Sequence, residues 1–414
     1  MDSSARPMQG PVLLATARWS RDGGVGAHVQ VSAAALAERG VEVRVLAAQL
    51  DPDEPPPGVA LIEAPRLFER RAPMAERLAG VLRDPPAVAH LHQVDDPQIA
   101  SALRRVAPVV VSAHGYTGCT SGVHYFEPGN ECSRPHGPGC IPNLAFRGCA
   151  HTNYPKTLPR KYLNTSRGRA ALRRADLAVS YSTAVDRHLA DNGLPRRLIV
   201  PYFPTMPATA GSGHESRRRV VFAGRIVRPK GVGVLIEAAA EVPDTEFVLC
   251  GDGRELDSMR GLAEQRGLGE RIRFTGWLDA GGLARELADA SVVVVPSLWP
   301  EPFGLVGIEG FAAGRPAVAS ATGGIPDWLE HGTSGLAVAP GDPHALAAAL
   351  TELLADASRQ REMGLAGRAH VERLYTPARH VQILLGGYET ARARWSESSS
   401  RARSAVRPRL ISRS

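Results

Sequence analysis

The chain has 414 residues, 43% of them hydrophobic and 22% charged, and its formal net charge is +7. The length is enough for two domains of ordinary size, and the composition is that of a globular protein, which excludes a fibrous or largely disordered chain. Because aromatic residues make up only 5% and no apolar run approaches the length of a membrane span, we expect a soluble, cytoplasmic protein without nucleic-acid partners.

Strand-like and helix-like segments alternate through residues 1–205. An apolar run at 11–17 predicts a strand, and a glycine turn with a helix ending at Gly40 separates it from a second strand at 41–48. The alternation predicts a parallel sheet covered by helices. Further strands are predicted at 87–92, 108–115 and 176–182.

Several residues follow these strands at their carboxyl ends, the edge at which open α/β sheets bind ligands. Gly23 and Gly24 follow the first strand and begin a helix, so a ligand can approach the backbone closely there. A dinucleotide-binding fingerprint is the alternative, but no acidic residue ends the second strand. His114 and Ser182 follow later strands; for His114, a hydrogen bond within its own loop is the alternative to a ligand contact.

The second half repeats the alternation after a segment of Pro, Gly and Ser without periodicity. We therefore place a first domain at 1–205, a linker at 206–217 and a second domain at 218–384. Residues 397–414 are rich in Ser and Arg and poor in apolar residues, which predicts a disordered basic tail. The predicted fold class is α/β, with two parallel-sheet domains that resemble Rossmann folds and face each other across a cleft.

Two glutamates, Glu301 and Glu309, lie on either side of a strand-to-helix junction. A β-branched run at 291–297 predicts a buried strand, and the helical spacing begins at Leu305. Each carboxylate can accept two hydroxyl hydrogen bonds, while the amides of the helix start can face a phosphate. Two solvated glutamates beside an ordinary helix are the alternative, because the spacing alone is a weak signal.

Two cations lie in the glycine-containing turn after the first strand of this domain. Arg225 offers a planar fork of donors and Lys230 a compact charge, a combination suited to the two phosphates of a diphosphate. For either residue alone, an ordinary surface charge is an equal alternative.

Together, these motifs resemble the retaining glycosyltransferases of family 4, which have the GT-B fold and are also called glycosyl transferases group 1. The resemblance implies that Arg225 and Lys230 bind a donor diphosphate and that Glu309 binds the ribose. It also implies a last helix, at 385–396, that crosses back to the first domain. It assigns the remaining candidates to three places: the donor sugar and phosphates (Glu301, Phe303, Gly304, Leu305, Gly323, Gly324, Gly251), the donor sugar or transferring oxygen (His114) and the acceptor side (Gly23, Gly24, Ser182).

The predicted function is transfer of a hexose-type sugar from a nucleoside-diphosphate donor to a hydroxyl acceptor, with retention. The acceptor class stays open among cell-envelope glycans, glycolipids and secondary metabolites. Arg225, Lys230, Glu301 and His114 are the predicted catalytic residues, and no cofactor is expected because cations and helix dipoles can stabilise the leaving phosphate. A sugar-nucleotide epimerase with the same fold and a non-catalytic sugar-nucleotide-binding protein are the alternatives.

Four of the five cysteines lie in one stretch of about 115–155, predicted to be an insertion in the first domain. Three interpretations stay open: a structural zinc site, free thiols packing a glycine-rich loop, and a redox-active or disulfide pair. The spacings contain no CxxC, and disulfides are not expected in a cytoplasmic protein. The residues concerned are Cys119, Cys132, Cys140 and Cys149, with His136 or His151 as an alternative ligand.

Residues 156–174 carry seven cations and no acid. Such a stretch can attract acidic acceptors or an anionic membrane surface to the first domain. A solvated helical face is the alternative. Our hypothesis is that residues 156–174 make a peripheral contact with a membrane.

Overall fold

A computed structural model describes residues 10–20, 24–52, 54–127, 130–146, 149, 158–206 and 218–405. Two parallel sheets, each covered by helices, form the two domains that the sequence predicts. No helix within the described ranges is long and apolar enough to cross a membrane.

The first domain is built on a seven-stranded parallel sheet with the order β3-β2-β1-β4-β5-β8-β9. A two-stranded antiparallel hairpin, β6-β7, lies between β5 and α4, in the stretch that the sequence analysis predicts to be an insertion; the insertion itself stays a prediction. Its elements are β1 (Val12–Trp19), α1 (Gly24–Ala37), β2 (Val43–Leu50), β3 (Val59–Glu63), α2 (Met74–Arg77), β4 (Val88–His92), α3 (Pro97–Arg104), β5 (Val109–Ala113), β6 (Tyr125–Glu127), β7 (Asn130–Glu131), α4 (Cys140–Phe146), α5 (Leu158–Arg174), β8 (Leu177–Ser180), α6 (Thr183–Asp191) and β9 (Arg197–Ile199).

The second domain is built on a six-stranded parallel sheet with the order β12-β11-β10-β13-β14-β15. Short 3-10 turns at Arg228–Lys230 and Ile325–Asp327 interrupt two of its loops. Its elements are β10 (Arg219–Ala223), α7 (Val232–Ala240), β11 (Glu246–Cys250), α8 (Leu256–Gln265), β12 (Ile272–Gly276), α9 (Ala280–Ala288), β13 (Val292–Val295), α10 (Leu305–Ala312), β14 (Ala317–Ser320), β15 (Gly335–Val338), α11 (Pro343–Leu354), α12 (Ala357–Leu374) and α13 (Pro377–Ala405).

The central strands follow from runs of β-branched residues that are buried on both faces. β13 consists of four valines, all at most 4% exposed, as expected for a strand with helices above and below it. The predicted strands all exist, but β3, β9 and β15 and the short hairpin strands β6 and β7 were not predicted. β3, β9 and β15 each form the edge of a sheet, where burial is partial and the apolar signal is correspondingly short.

The last helix differs from the predicted boundaries of 385–396. α13 begins at Pro377 and continues to Ala405, so the first part of the predicted tail is helical. It already contacts the first domain at His380, whose Nδ1 lies 2.7 Å from the carbonyl oxygen of Pro201. The crossing therefore takes place before His380. Residues 207–217 of the predicted linker and residues 406–414 lie outside the described residues.

Candidate functional site

The donor edge of the second domain, defined by the loops after β10, β13 and β14, is organised by one ion pair. Lys230 Nζ lies 2.9 Å from both carboxylate oxygens of Glu301. Glu301, which is 5% exposed, also accepts from Ser297 Oγ at 2.8 Å and from Trp299 Nε1 at 2.9 Å. Three donors thus hold this carboxylate in one orientation.

A glycine fixes the position of Lys230. Gly231 has φ +71°, and a Cβ there would lie 1.8 Å from the carbonyl oxygen of Pro296. Only glycine allows the turn to approach the end of β13 so closely. The packing of two loops therefore brings Lys230 to Glu301, which is 71 residues away in the chain.

Arg225 has a different environment from Lys230. It is exposed in the loop after β10, and within the described residues it forms no hydrogen bond or ion pair. Gly251 supports this loop, since a Cβ at Gly251 (φ +151°) would lie 1.9 Å from the carbonyl oxygen of Gly224. The guanidinium is therefore accessible to an anion, whereas Lys230 is shared with Glu301. That Arg225 binds a donor diphosphate stays a prediction.

Glu309 lies on α10, away from the ion pair. Its Oε1 accepts a hydrogen bond of 2.9 Å from Thr205 Oγ1, at the junction between the two domains. Burial raises the pKa of Glu309 above its ordinary value, and the bonds from Thr205 partly offset that rise. The Thr205 hydroxyl is the kind of donor that a ribose would supply. Sequence analysis missed Thr205, because nothing in the sequence at the end of the first domain marks it.

The start of α10 bears three further predicted donor residues. Gly304, with φ +86°, is the N-cap, and the helix begins at Leu305. The amides of a first helical turn have no intrahelical partner and can face an anion. Phe303 has another role: its ring is 3% exposed, and its carbonyl oxygen accepts from Trp328 Nε1 at 2.6 Å. Phe303 thus anchors the helix start in the core.

The glycine pair 323–324 is required by backbone packing. A Cβ at Gly323 (φ +62°) would lie 2.3 Å from the carbonyl oxygen of Glu301. The Gly324 amide donates to that same oxygen at 2.7 Å, so the prediction that this amide faces the donor phosphates is wrong. The Gly323 amide lies 3.4 Å from Oε1 of Glu131, a residue of the first domain.

His114 lies at the carboxyl edge of the first sheet, as predicted, but both ring nitrogens are occupied. Nδ1 is 2.7 Å from Tyr202 Oη, and Nε2 is 3.0 Å from His92 Nδ1. The ring stacks on Tyr181 with a centroid distance of 4.7 Å. Burial, with a further contribution from His380, lowers the pKa of His114 to about 3, so the ring is neutral near pH 7. A sugar contact would have to replace one of these bonds.

A cluster of five histidines surrounds this position, and we name it the histidine cluster. Burial lowers the pKa of each imidazole. Its contacts include His90 Nδ1 to Tyr388 Oη at 2.8 Å, a bond that ties α13 to β4. The members are His28, His90, His92, His114 and His380. They lie on separate elements of the chain, so the sequence alone could have drawn attention only to the two on β4.

The acceptor-side candidates are mainly structural. Ser182 is fully buried, and its hydroxyl caps α6 by accepting from the Val185 amide at 3.2 Å. It also lies against the glycine loop, since a Cβ at Gly324 would be 2.8 Å from the Ser182 Cβ. Gly24 begins α1 with open space around its Cβ position. Gly23 lies outside the described residues.

The four clustered cysteines are free thiols. Burial is the main cause that raises the pKa of Cys149 to about 11, and the nearby thiols of Cys119, Cys132 and Cys140 add to it. The described residues contain no group of three or more Cys, His, Asp or Glu placed to hold a metal ion. The zinc hypothesis therefore stays a prediction.

Two family models match this chain. Residues 22–201 match "Glycosyltransferase Family 4", and residues 210–370 match "Glycosyl transferases group 1". Together the models span most of both domains, and the chain belongs to the family 4 glycosyltransferases.

Curated relatives match over part of their length. The lipopolysaccharide core biosynthesis glycosyltransferase LpsD of Rhizobium meliloti is 36% identical over 181 residues, which cover 44% of this chain and 46% of the relative. A D-inositol 3-phosphate glycosyltransferase of Mycolicibacterium gilvum is 36% identical over 192 residues, covering 44% of this chain and 42% of the relative. The matches to the first three relatives span 37% to 46% of their length.

Solved structures share the whole fold. HepE of Anabaena, in complex with UDP and glucose, has a TM-score of 0.65 at 18% identity and covers 93% of this chain and 100% of its own. WaaG, a glycosyltransferase involved in lipopolysaccharide biosynthesis, has a TM-score of 0.64 at 17% identity and covers 90% and 98%. These likenesses confirm the predicted GT-B fold.

Proposed function

We propose that this chain transfers a sugar from a nucleoside-diphosphate donor to a hydroxyl acceptor, an activity of class EC 2.4. The observation that carries the proposal is the donor edge, where a cation without a partner among the described residues, an oriented carboxylate and a helix start lie on neighbouring loops. Arg225 supplies the cation, Glu301 the carboxylate and Gly304 the start of the helix. Each group matches one part of a diphosphate sugar.

In this proposal, the Glu301 carboxylate can accept one further hydrogen bond, from a hydroxyl of the donor sugar. Its Oε2 already accepts from Lys230, Ser297 and Trp299, whereas Lys230 is the single donor to Oε1 among the residues that the structure describes. A carboxylate oxygen has two lone pairs, so Oε1 can accept one sugar hydroxyl without losing Lys230. Glu309 would then exchange the hydroxyl of Thr205 for a ribose hydroxyl.

The reaction we propose retains the configuration at the anomeric carbon. The bond between that carbon and the diphosphate oxygen breaks, and its electron pair stays on the leaving phosphate. The acceptor oxygen bonds to the carbon on the same face, and its proton passes to the leaving phosphate oxygen. Arg225, Lys230 and the α10 start stabilise the charge that develops on the phosphate, which is why we propose that no divalent ion is required.

The donor base and the acceptor are the parts that experiment must assign. HepE is described with UDP, and a relative from Mycolicibacterium smegmatis is a GDP-mannose-dependent mannosyltransferase. We would therefore measure thermal shifts with UDP-, GDP- and TDP-sugars, because the correct donor stabilises the folded state by mass action. Turnover is then measured with and without EDTA. If no donor raises the melting temperature and none is consumed, the proposal is wrong; an epimer formed without acceptor would indicate the epimerase alternative.

We also propose that α5 contacts an anionic membrane surface. Leu163 is 53% exposed on this helix, and Arg160 and Arg167 are exposed near it. An exposed apolar side chain among cations is the pattern of an interfacial helix. Co-sedimentation with phosphatidylglycerol vesicles tests the contact. Loss of binding is expected in Leu163→Gln, and unchanged binding would contradict the proposal.

A further inference from the structure

An arginine-lined cavity of about 460 Å³ lies at the amino ends of strands in the first sheet, on the side away from the donor edge. It is formed where α3 ends before β5, where α5 ends before β8, and just before β9 begins. Because β5, β8 and β9 are neighbours in a parallel sheet, their amino ends bring these three chain segments together. The lining residues are Ser101, Arg104, Arg105, Arg173, Arg174 and Arg196.

Only one of the five arginines is neutralised by a carboxylate in the part of the chain that the structure describes. Arg104 pairs with Asp176 at 2.9 Å, and the Asp176 side chain is fully buried. Arg173 and Arg174 donate to carbonyl oxygens, at 3.4 Å and 3.1 Å. The described residues give no ion pair for the four remaining arginines, so their charges are concentrated around the cavity.

Favourable helix-end positions explain part of this arrangement, because a cation near a helix C-terminus interacts well with the helix dipole. That explanation applies to Arg173 and Arg174 at the end of α5. It does not apply to Arg196, which precedes a strand and lies in no helix. It also does not explain why Arg105 lines the same cavity as the arginines of α5. Like charges held around one space repel one another unless an anion enters it.

A second cavity, of about 340 Å³, adjoins the first and shares Ser101, Arg105 and Arg174 with it. It adds the apolar side chains of Met74 and Ala102. Guanidinium forks match phosphate oxygens in a bidentate manner, and an apolar neighbouring wall can hold the organic part of a phosphate ester.

We propose that this arginine cavity is a binding site for a phosphorylated anion with two or more negative charges, separate from the donor cleft. The ligand is either a free phosphorylated compound or the headgroup of an anionic lipid, since both present the same oxygens. The site does not depend on the glycosyltransferase activity proposed above, because no residue of the donor edge contributes to it.

The test compares two triple variants of the full chain that lose equal charge. Arg105→Gln/Arg174→Gln/Arg196→Gln removes the cavity cations. Calorimetric titration with sodium tripolyphosphate should show binding at least about tenfold weaker in this variant, because charge-assisted bonds are lost. The control removes three exposed arginines of the second domain and α13 and should bind within about twofold of the wild type, since none of the three lines the cavity: Arg285→Gln, Arg373→Gln and Arg379→Gln.

Two further measurements distinguish a lipid headgroup from a free phosphorylated compound, and binding at the cavity from binding at the donor cleft. Arg225→Ala removes a donor-edge cation and should leave the cavity's tripolyphosphate binding unchanged even if the proposed function fails. Vesicles that contain phosphatidic acid present a phosphomonoester with nearly two negative charges. If they bind the wild type but not the cavity variant, the ligand is a lipid headgroup. If tripolyphosphate binds the wild type and these vesicles do not, the ligand is a free phosphorylated compound. Equal weakening in both triple variants, or none in the cavity variant, would overturn the site. Circular dichroism checks that both variants are folded.

Discussion

The carboxyl edges of the two sheets face each other across the domain junction, and they are built from different groups. The edge of the second domain is charged: Lys230, Glu301 and Arg225 lie on loops that glycines hold together. The edge of the first domain is neutral, because buried imidazoles and tyrosines bond to one another. Charged side chains that can still accept a further contact can act on a diphosphate. A neutral network in which the polar groups bond to one another holds the walls of the cleft in place. We therefore expect catalysis to depend on the charged edge and rigidity on the neutral edge.

Lys230→Ala should have the largest effect, because this residue belongs to both the ion pair and the proposed phosphate site. We expect turnover to fall at least about a hundredfold, the order seen for a lost transition-state donor. The free energy of unfolding should fall by about 1–3 kcal/mol, since Glu301 would be left buried without its cation. Arg228→Ala in the same turn is the control and should change neither quantity appreciably. Normal turnover in Lys230→Ala would remove the charged edge from catalysis.

Arg225→Ala should separate catalysis from stability. Turnover should fall by about tenfold to a hundredfold, because the side chain is free to contact the leaving phosphate. The melting temperature without ligand should stay unchanged, since the guanidinium has no described partner. Steady-state kinetics and a melting curve on the same preparation measure both. A lower melting temperature with normal kinetics would mean that Arg225 is a structural residue.

The histidine cluster should make the fold sensitive to acid. Its imidazoles stay neutral in the folded chain, and the pKa of His380, for example, is lowered to about 4 by burial. The unfolded chain binds protons near its ordinary pKa of about 6.5, so stability is complete above that pH and is lost as the pH falls below it. Each such histidine contributes about 1.4 kcal/mol per pH unit within the window.

Thermal melts from pH 7.5 to 5 would test the cluster through His28→Phe, because His28 is packed among the rings of Tyr181, Tyr202 and Phe203. In this variant, the free energy of unfolding should depend less steeply on pH, by the contribution of about one titrating histidine. His344→Asn is the control, since His344 has a side chain 81% exposed and lies outside the cluster. Equal slopes in wild type and His28→Phe would show that the cluster titrates normally.

The difference between the edges also explains what the sequence could predict. Arg225 and Lys230 lie five residues apart, and Glu301 and Glu309 eight apart, so local spacing was enough to place these two pairs at one edge of the second sheet, with Glu309 in the helix that follows the loop. The histidine cluster draws on α1, β4, the end of β5 and α13, and only folding brings these together. The Lys230–Glu301 pair and the Thr205–Glu309 bond were missed for the same reason.

Ser182→Ala distinguishes a helix cap from an acceptor contact at the neutral edge. We expect a loss of about 1 kcal/mol in the free energy of unfolding, the usual cost of removing an N-cap hydroxyl. The KM for the acceptor should change less than about threefold, because the hydroxyl is fully buried and bonded to Val185. Chemical denaturation and acceptor kinetics give the two values. A large rise in KM at unchanged stability would restore the acceptor role that the sequence suggested.

Glu131→Gln should give the smallest effect and tests where the two edges meet. Glu131 of the first domain places its Oε1 3.4 Å from the Gly323 amide and 3.5 Å from Thr322 Oγ1, on a loop of the donor edge. A carboxylate there competes with a donor phosphate for the amide and repels it. Removing the charge should therefore lower the donor KM by roughly threefold, as expected for one partly solvated charge. Glu127 lies on the other strand of the same hairpin, and Glu127→Gln is the matched control. If the donor KM rises instead, Glu131 supports the donor loop, and the first domain contributes to donor binding through this residue.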